Sequence, residues 1–260
     1  MIFSVLAPPL KRSWVTLTQA LVQPTAAPWA IAISIFLVSV PVFFEAPLVR
    51  ALPSLSLALT GFWVWAGYRL KQQPDHQFWG DLLLGFSWSW LAGSLYWGWF
   101  RWEPLWHLPM ESIGLPLALW SLAQHPSPSP RVAPSPPPAQ PWVWPRSLIR
   151  PLGPMGAYFY LGSLVGTAIT DAYCYLIDVI PHWRRIMSAP PDQVPLIFQE
   201  AVAQVMNPQG MAHAVVLGLV LLILGLWSSR STQVHHWIFS GTLLGTLLVD
   251  LLFIGVASFA

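Results

Sequence analysis

Apolar residues run in long blocks along this chain, broken by short clusters of charge and proline. A helix needs about 20 mostly apolar residues to cross the hydrocarbon core of a bilayer. Five blocks reach that length: Ala26–Phe44, Leu52–Leu70, Phe78–Phe100, Met155–Ile180 and Trp237–Val256. Met211–Trp227 is slightly shorter and holds no Asp, Glu, Lys or Arg. Pro104–Leu122 contains Glu111, Pro109 and Pro116, so it either spans or dips in and returns. The pattern predicts an all-α polytopic transmembrane helix bundle with six or seven spans.

Two connections break the pattern differently. His125–Pro145 is dominated by proline, which lacks an N–H and fixes φ. It reads as an extended spacer, and divides the chain into an N-terminal helix group (1–123), a linker (124–150) and a C-terminal group (151–260). In the connection Pro181–Gly210, Val194, Phe198, Ala201 and Val205 fall on one helical side, with Gln199, Glu200 and Gln204 elsewhere. That predicts an interfacial amphipathic helix near 192–206. Ahead of it, Trp183, Arg184 and Arg185 suit the headgroup region, as does Asp178 at a span end.

Composition supports a lipid environment. The chain is 55% apolar and 8% charged, with 10 acidic residues in 260. Soluble domains carry about 25% charged residues. A net charge of +2 with scattered basic residues gives no nucleic-acid footprint. The single cysteine, Cys174, excludes an intramolecular disulfide and a cysteine-based zinc site. The N-terminal stretch lacks the order of a signal peptide and is expected to be retained. With seven crossings, Lys11, Arg12, Arg69, Lys71, Arg131, Arg146, Arg150 and Arg230 collect on one side. Arg50, Arg101, Arg184 and Arg185 lie on the other, which predicts a cytoplasmic N-terminus. If Pro104–Leu122 does not cross, everything after it inverts.

Two stretches carry the candidate chemistry: "GSLVGTAITD" (Gly162–Asp171) and "GTLLGTLLVD" (Gly241–Asp250). Gly162 matches Gly241, Gly166 matches Gly245, Thr167 matches Thr246 and Asp171 matches Asp250, which reads as an internal duplication or as convergence on a good membrane-helix recipe. Each G-x-x-x-G permits close helix packing where lipid offers no hydrophobic drive. On the adjacent stripe, Ser163, Thr167 and Asp171 stand at i, i+4, i+8, as do Thr242, Thr246 and Asp250. An Asp at the bilayer centre costs roughly 2.5–3.5 kcal/mol on insertion scales. Asp171 and Asp250 are therefore proton carriers, cation ligands, or neutral donors that tie helices together; near each other, they would form a shared site.

Other candidates are thinner. Trp88, Trp90, Trp97 and Trp99 lie deep enough to contact a pigment or quinone, or simply to pack; no cofactor is assigned. His213 enters a span, His107 opens the doubtful segment, and the adjacent His235 and His236 diverge on a helix, so no metal site is expected. No Ser–His–Asp order, phosphate loop, H-E-x-x-H or dinucleotide motif appears.

"FLVSVPVFFEAPLVRALPSLSLAL" (Phe36–Leu59) and "YLGSLVGTAITDAYCYLIDVIPHWRRIM" (Tyr160–Met187) resemble the cyanobacterial multi-pass membrane proteins grouped as domain of unknown function 3120. The similarity continues through the last span and leaves out the proline-rich insert. It implies a cyanobacterial source and a thylakoid or plasma membrane, and it implies no reaction. Two roles follow as expectations. One is a non-enzymatic accessory, scaffold or assembly protein of a photosynthetic membrane, with lipid and other membrane proteins as partners. The other is a small proton- or cation-coupled transporter using Asp171 and Asp250.

Overall fold

The computed structural model describes residues 27–124 and 152–257, and every element among them is helical. Lys11, Arg12, Arg131, Arg146, Arg150 and the proline-rich connection lie outside the described residues. The helices are α1 (Ala27–Ala51), α2 (Pro53–Lys71), α3 (Gln77–Leu95), α4 (His107–Glu111) and α5 (Leu115–Ala123). After the proline-rich connection come α6 (Pro154–Leu176), α7 (Ile180–Ser188), α8 (Val194–Met206), α9 (Pro208–Ser229) and α10 (Val234–Ala257).

Three of these helices, α1, α9 and α10, are long and apolar enough to cross a membrane, and a fourth crossing follows if α6 and α7 form one broken span. The remaining expected spans depart from that form for physical reasons. α3 is a full-length helix rich in Trp, Ser and Gly, and it is buried among its neighbours, so it need not match lipid. Pro104–Leu122 is split by Pro109, Gly114 and Pro116 into short helices joined by a 3₁₀ turn. α6 stops at Leu176, and α7 leaves it at 93°. Asp178 lies at this corner with φ 56°, a left-handed conformation that Asp tolerates better than most residues.

Two helices contain a widened turn with an extra residue. In α1, Pro41 has no N–H to give, and the turn Pro41–Glu45 closes when the Ala46 N–H donates to the Pro41 carbonyl. A second such turn, Tyr96–Phe100, follows the end of α3. Gly98 of the second turn lies against the end of α1 and the start of α2, where an added Cβ would meet Val49 and Pro53.

The core joins the two sequence halves. Leu82, Phe86 and Trp90 of α3 pack with Ala30 of α1, Phe159 of α6, and Trp237 and Ile238 of α10. Trp63 meets Phe86 and Trp90 edge-on, with ring centroids 5.8 Å apart in both cases. α3 and α6 touch backbone to backbone, because no Cβ fits between Gly85 and Gly156. At that end Asp81 is buried, and its carboxylate accepts from the N–H groups of Gly153 and Gly156, which open α6. Lys71 completes the cluster at 3.1 Å. The free N–H groups of a helix start are thus satisfied by a residue far away in sequence.

The outward faces are apolar. On α9, Val215, Val216, Leu219, Ile223 and Trp227 are exposed, and on α10 Leu248, Leu251, Leu252 and Phe253. α7 and α8 lie at the end where α6 stops, with Ile197 and Ala201 turned inward.

Candidate functional site

The two repeat helices pack side by side in parallel. A Cβ on Gly162 would strike Thr242, and one on Gly166 would strike Thr246. One turn further along the same seam, Thr170 Oγ1 donates to Asp250 Oδ2 at 2.9 Å. α10 therefore turns its threonine stripe toward α6 and its glycines elsewhere. Gly241 lies against Ile31 and Ser34 of α1, and Gly245 against Ile35 and Val38. Thr242 and Thr246 bond back to their own helix, at the carbonyls of Phe239 and Thr242.

This pairing is one residue out of step with the sequence repeat, and one residue on a helix is about 100° of rotation. Asp171 consequently points away from the seam that holds Asp250. Its Oδ1 lies 2.8 Å from His107 Nδ1, so a single proton is shared between them. Ser163 and Thr167 are half-buried, and neither hydrogen-bonds to a carboxylate among the described residues. The structure gives each Asp its own partner, Thr170 for Asp250 and His107 for Asp171.

His107 is positioned by aromatic packing and by the short helix it opens. Its ring lies 4.4 Å from that of Tyr96 and 6.2 Å from that of Trp97. Glu111 stands one turn on from His107 and is buried. The local backbone is fixed by Tyr160, whose hydroxyl donates to the Glu111 carbonyl and accepts from the Gly114 N–H. The second oxygen of Asp171, Oδ2, is buried and has no hydrogen-bond partner among the described residues.

A further carboxyl comes from α1. Glu45, in the widened turn, is 1% exposed. Ser94 Oγ donates to Glu45 Oε1 at 2.7 Å and shares a second hydrogen bond with Ser56 at 2.8 Å. Trp90 Nε1 caps the Ser56 carbonyl at 3.0 Å, which places this deep tryptophan in the protein core.

Glu45, His107 and Glu111 were not singled out as site residues from sequence. Glu45 falls one residue past the first apolar block, where an acid reads as a flank. His107 and Glu111 share an i, i+4 face within a proline-broken segment, and that spacing was the available signal.

The expected interfacial residues lie together at the end of α6. Arg184 bonds Glu103 at 2.6 and 3.1 Å, and Arg185 bonds Glu200 at 2.6 Å. Trp183 donates to the Arg101 carbonyl at 2.9 Å and packs on Trp97 at 5.4 Å. Glu103 is held below the usual carboxylate range, chiefly by its hydrogen bond from Arg184.

Among the described residues the fold is all-helical, and three of its helices are long and apolar enough to cross a membrane, which is compatible with an integral membrane protein. The chain belongs to the family described as protein of unknown function DUF3120, which matches residues 34–129 and 139–258. No curated protein and no solved structure matches it.

Proposed function

We propose that the protein is a small proton- or cation-coupled carrier, with the His107–Asp171 pair as its ion-handling centre. The observation that carries this is the 2.8 Å contact between two part-buried titratable side chains, with Asp171 Oδ2 buried beside them and without a hydrogen-bond partner among the described residues. Ionisable groups are costly in a membrane interior and mark ion pathways more often than other residues there. A His–carboxylate pair can hold one proton in either of two places, and the free oxygen offers a ligand position. Asp250, bonded to Thr170, reads in this arrangement as a helix-joining residue. Seven crossings with a cytoplasmic N-terminus, in a cyanobacterial thylakoid or plasma membrane, fit the basic-residue pattern and the family resemblance.

The test is proton uptake by liposomes holding the purified full-length chain and a pH-sensitive dye, driven by a potassium diffusion potential. Wild type should acidify the lumen above protein-free vesicles, with sodium or potassium varied to find a coupled cation. Asp171→Asn should insert at normal abundance and lose the flux. Wild-type flux equal to that of empty vesicles would sink the carrier reading.

A second reading is an accessory, scaffold or assembly protein of a photosynthetic membrane that contacts pigment or quinone. It is favoured by one observation. Trp29, Phe36 and Phe43 follow one another at seven-residue spacing along α1 and are 75%, 57% and 54% exposed. Such an aromatic seam suits another membrane protein's helix. Retained function in Asp171→Asn, with partner proteins recovered in mild detergent, would favour it.

A further inference from the structure

A cavity of about 200 Å³ opens between the end of α6 and the turn from α8 to α9, and it includes no residue of the His107–Asp171 pair. Leu176, Ile177 and Asp178 line one side, and Gln204, Asn207 and Gln209 the other. Backbone geometry holds both walls. Asp178 turns the chain at φ 56°, and Gly210 has no room for a Cβ against the carbonyls of Gln204 and Val205. Asn207 Oδ1 accepts from the Gly210 N–H at 2.7 Å, which caps α9 and leaves the Asn207 NH₂ group to donate elsewhere. Among the described residues, the side chains of Asp178, Gln204 and Gln209 have no hydrogen-bond partner.

These groups set the chemistry of an occupant. A carboxylate only accepts hydrogen bonds, whereas amides donate and accept. Hydroxyls do both, so a set of neighbouring hydroxyls can satisfy the carboxylate and the three amides together. A phosphate offers acceptors alone and would bring a second negative charge against Asp178. No described residue lining the cavity is basic, and Arg184 and Arg185 of α7 are already bonded to Glu103 and Glu200. An ammonium group offers donors alone and would leave the amide N–H groups unmatched. The volume is below the roughly 300–1,000 Å³ of sites for drug-sized ligands, so it admits one small polar piece of a larger molecule. The remainder has a place beside it. Val216, Val220 and Ile223, at i+7, i+11 and i+14 from Gln209, share its face of α9 and are exposed.

We propose that this cavity is a lipid site for an uncharged, hydroxyl-rich headgroup, that of a glycosyl diacylglycerol, with the acyl chains along Val216, Val220 and Ile223 of α9. The Asp178 carboxylate and the amides of Gln204, Asn207 and Gln209 bind the sugar hydroxyls. The depth fits, because Trp183, Arg184 and Arg185 stand at the same end of α6, and such residues mark the headgroup level. The site needs no residue of the ion-handling pair and does not depend on transport.

The experiment is thermal unfolding of the full-length chain in phosphatidylcholine nanodiscs, with and without added monoglycosyl diacylglycerol, for wild type, Asp178→Gly and Gln209→Leu. Glycine adopts the left-handed turn readily, so Asp178→Gly removes the carboxylate and keeps the corner. Wild type should unfold at a higher temperature with the glycolipid, because a ligand that binds only the folded state stabilises it. That upward shift should vanish in Asp178→Gly and shrink in Gln209→Leu. Gln209 is exposed, so its variant supplies the readout if the glycine variant does not fold. Phosphatidic acid and phosphatidylethanolamine at the same level should give no shift that depends on Asp178 or Gln209. No glycolipid shift in wild type, or an equal shift in all three proteins, would overturn the site. A larger shift with phosphatidylethanolamine would overturn the headgroup class. Equal protection by free methyl hexoside would overturn the lipid and leave a soluble-sugar site.

Discussion

Thr170 Oγ1 donates to Asp250 Oδ2 at 2.9 Å, and this bond closes the last turn of the seam between α6 and α10. Below it, on successive turns, Gly166 lies under Thr246 and Gly162 under Thr242. A small residue on one helix thus faces a threonine on the other, and the backbones come close enough for the final hydroxyl to reach a carboxylate. In lipid, interhelical polar contacts of this kind are worth about 0.6 kcal/mol on average and up to ~1.7.

Thr170→Val should therefore lower stability by about 1 kcal/mol, while Thr167→Val, one face away, should change it little. Thermal unfolding in mild detergent, followed by tryptophan fluorescence, reads both. Equal losses would mean that the α6–α10 seam does not run through Thr170.

Gly166→Leu and Gly245→Leu should each cost about 1–3 kcal/mol, because the added side chain separates two packed backbones. Gly166 faces Thr246, and Gly245 faces Ile35 and Val38 of α1. Gly61 is the internal control: a Cβ there meets nothing within 4 Å, so Gly61→Leu should be near neutral. Comparable stability of all three variants would place the two glycines on lipid.

Asp81 ties the start of α6 to α3. Asp81→Ala removes the acceptor for the Gly153 and Gly156 N–H groups and leaves Lys71 without this carboxylate. Breaking a buried charged cluster costs about 3–5 kcal/mol. The variant should accumulate poorly, and limited proteolysis should cut it between residues 124 and 153. Abundance equal to wild type would show that the helix start is satisfied without Asp81.

The corner helix α7 should loosen on acidification. Glu103 is held below the ordinary carboxylate range by Arg184, so it binds protons less readily folded than unfolded. Its contribution is present above the unfolded pKa and disappears as pH falls through the folded one. The pair is exposed, and exposed pairs are screened by salt, so the effect is local. Trp183, stacked on Trp97, reports it. Its fluorescence should change below the usual carboxylate range in wild type and show no such transition in Glu103→Gln. An unchanged transition in that variant would assign it to another acid.

The helical class and the apolar faces were legible in the sequence. Lipid leaves so few ways to satisfy a backbone that composition and run length alone select helices. Asp171 and Asp250 also stood out, because an acid in an apolar block is rare. What the sequence could not decide was the partner of each. Matching the repeats places the two aspartates in equivalent positions, but the helices pack one residue away from that match, and about 100° of rotation sends Asp171 to His107 and leaves Asp250 with Thr170. Glu45 reaches Ser94 from a helix separated from it by the whole of α2, through a widened turn that carries no periodic signal. Lipid acts on each helix separately and so can be read one segment at a time. Which polar groups meet depends on the rotation and depth at which helices dock, and close packing fixes both only when all of them are present together.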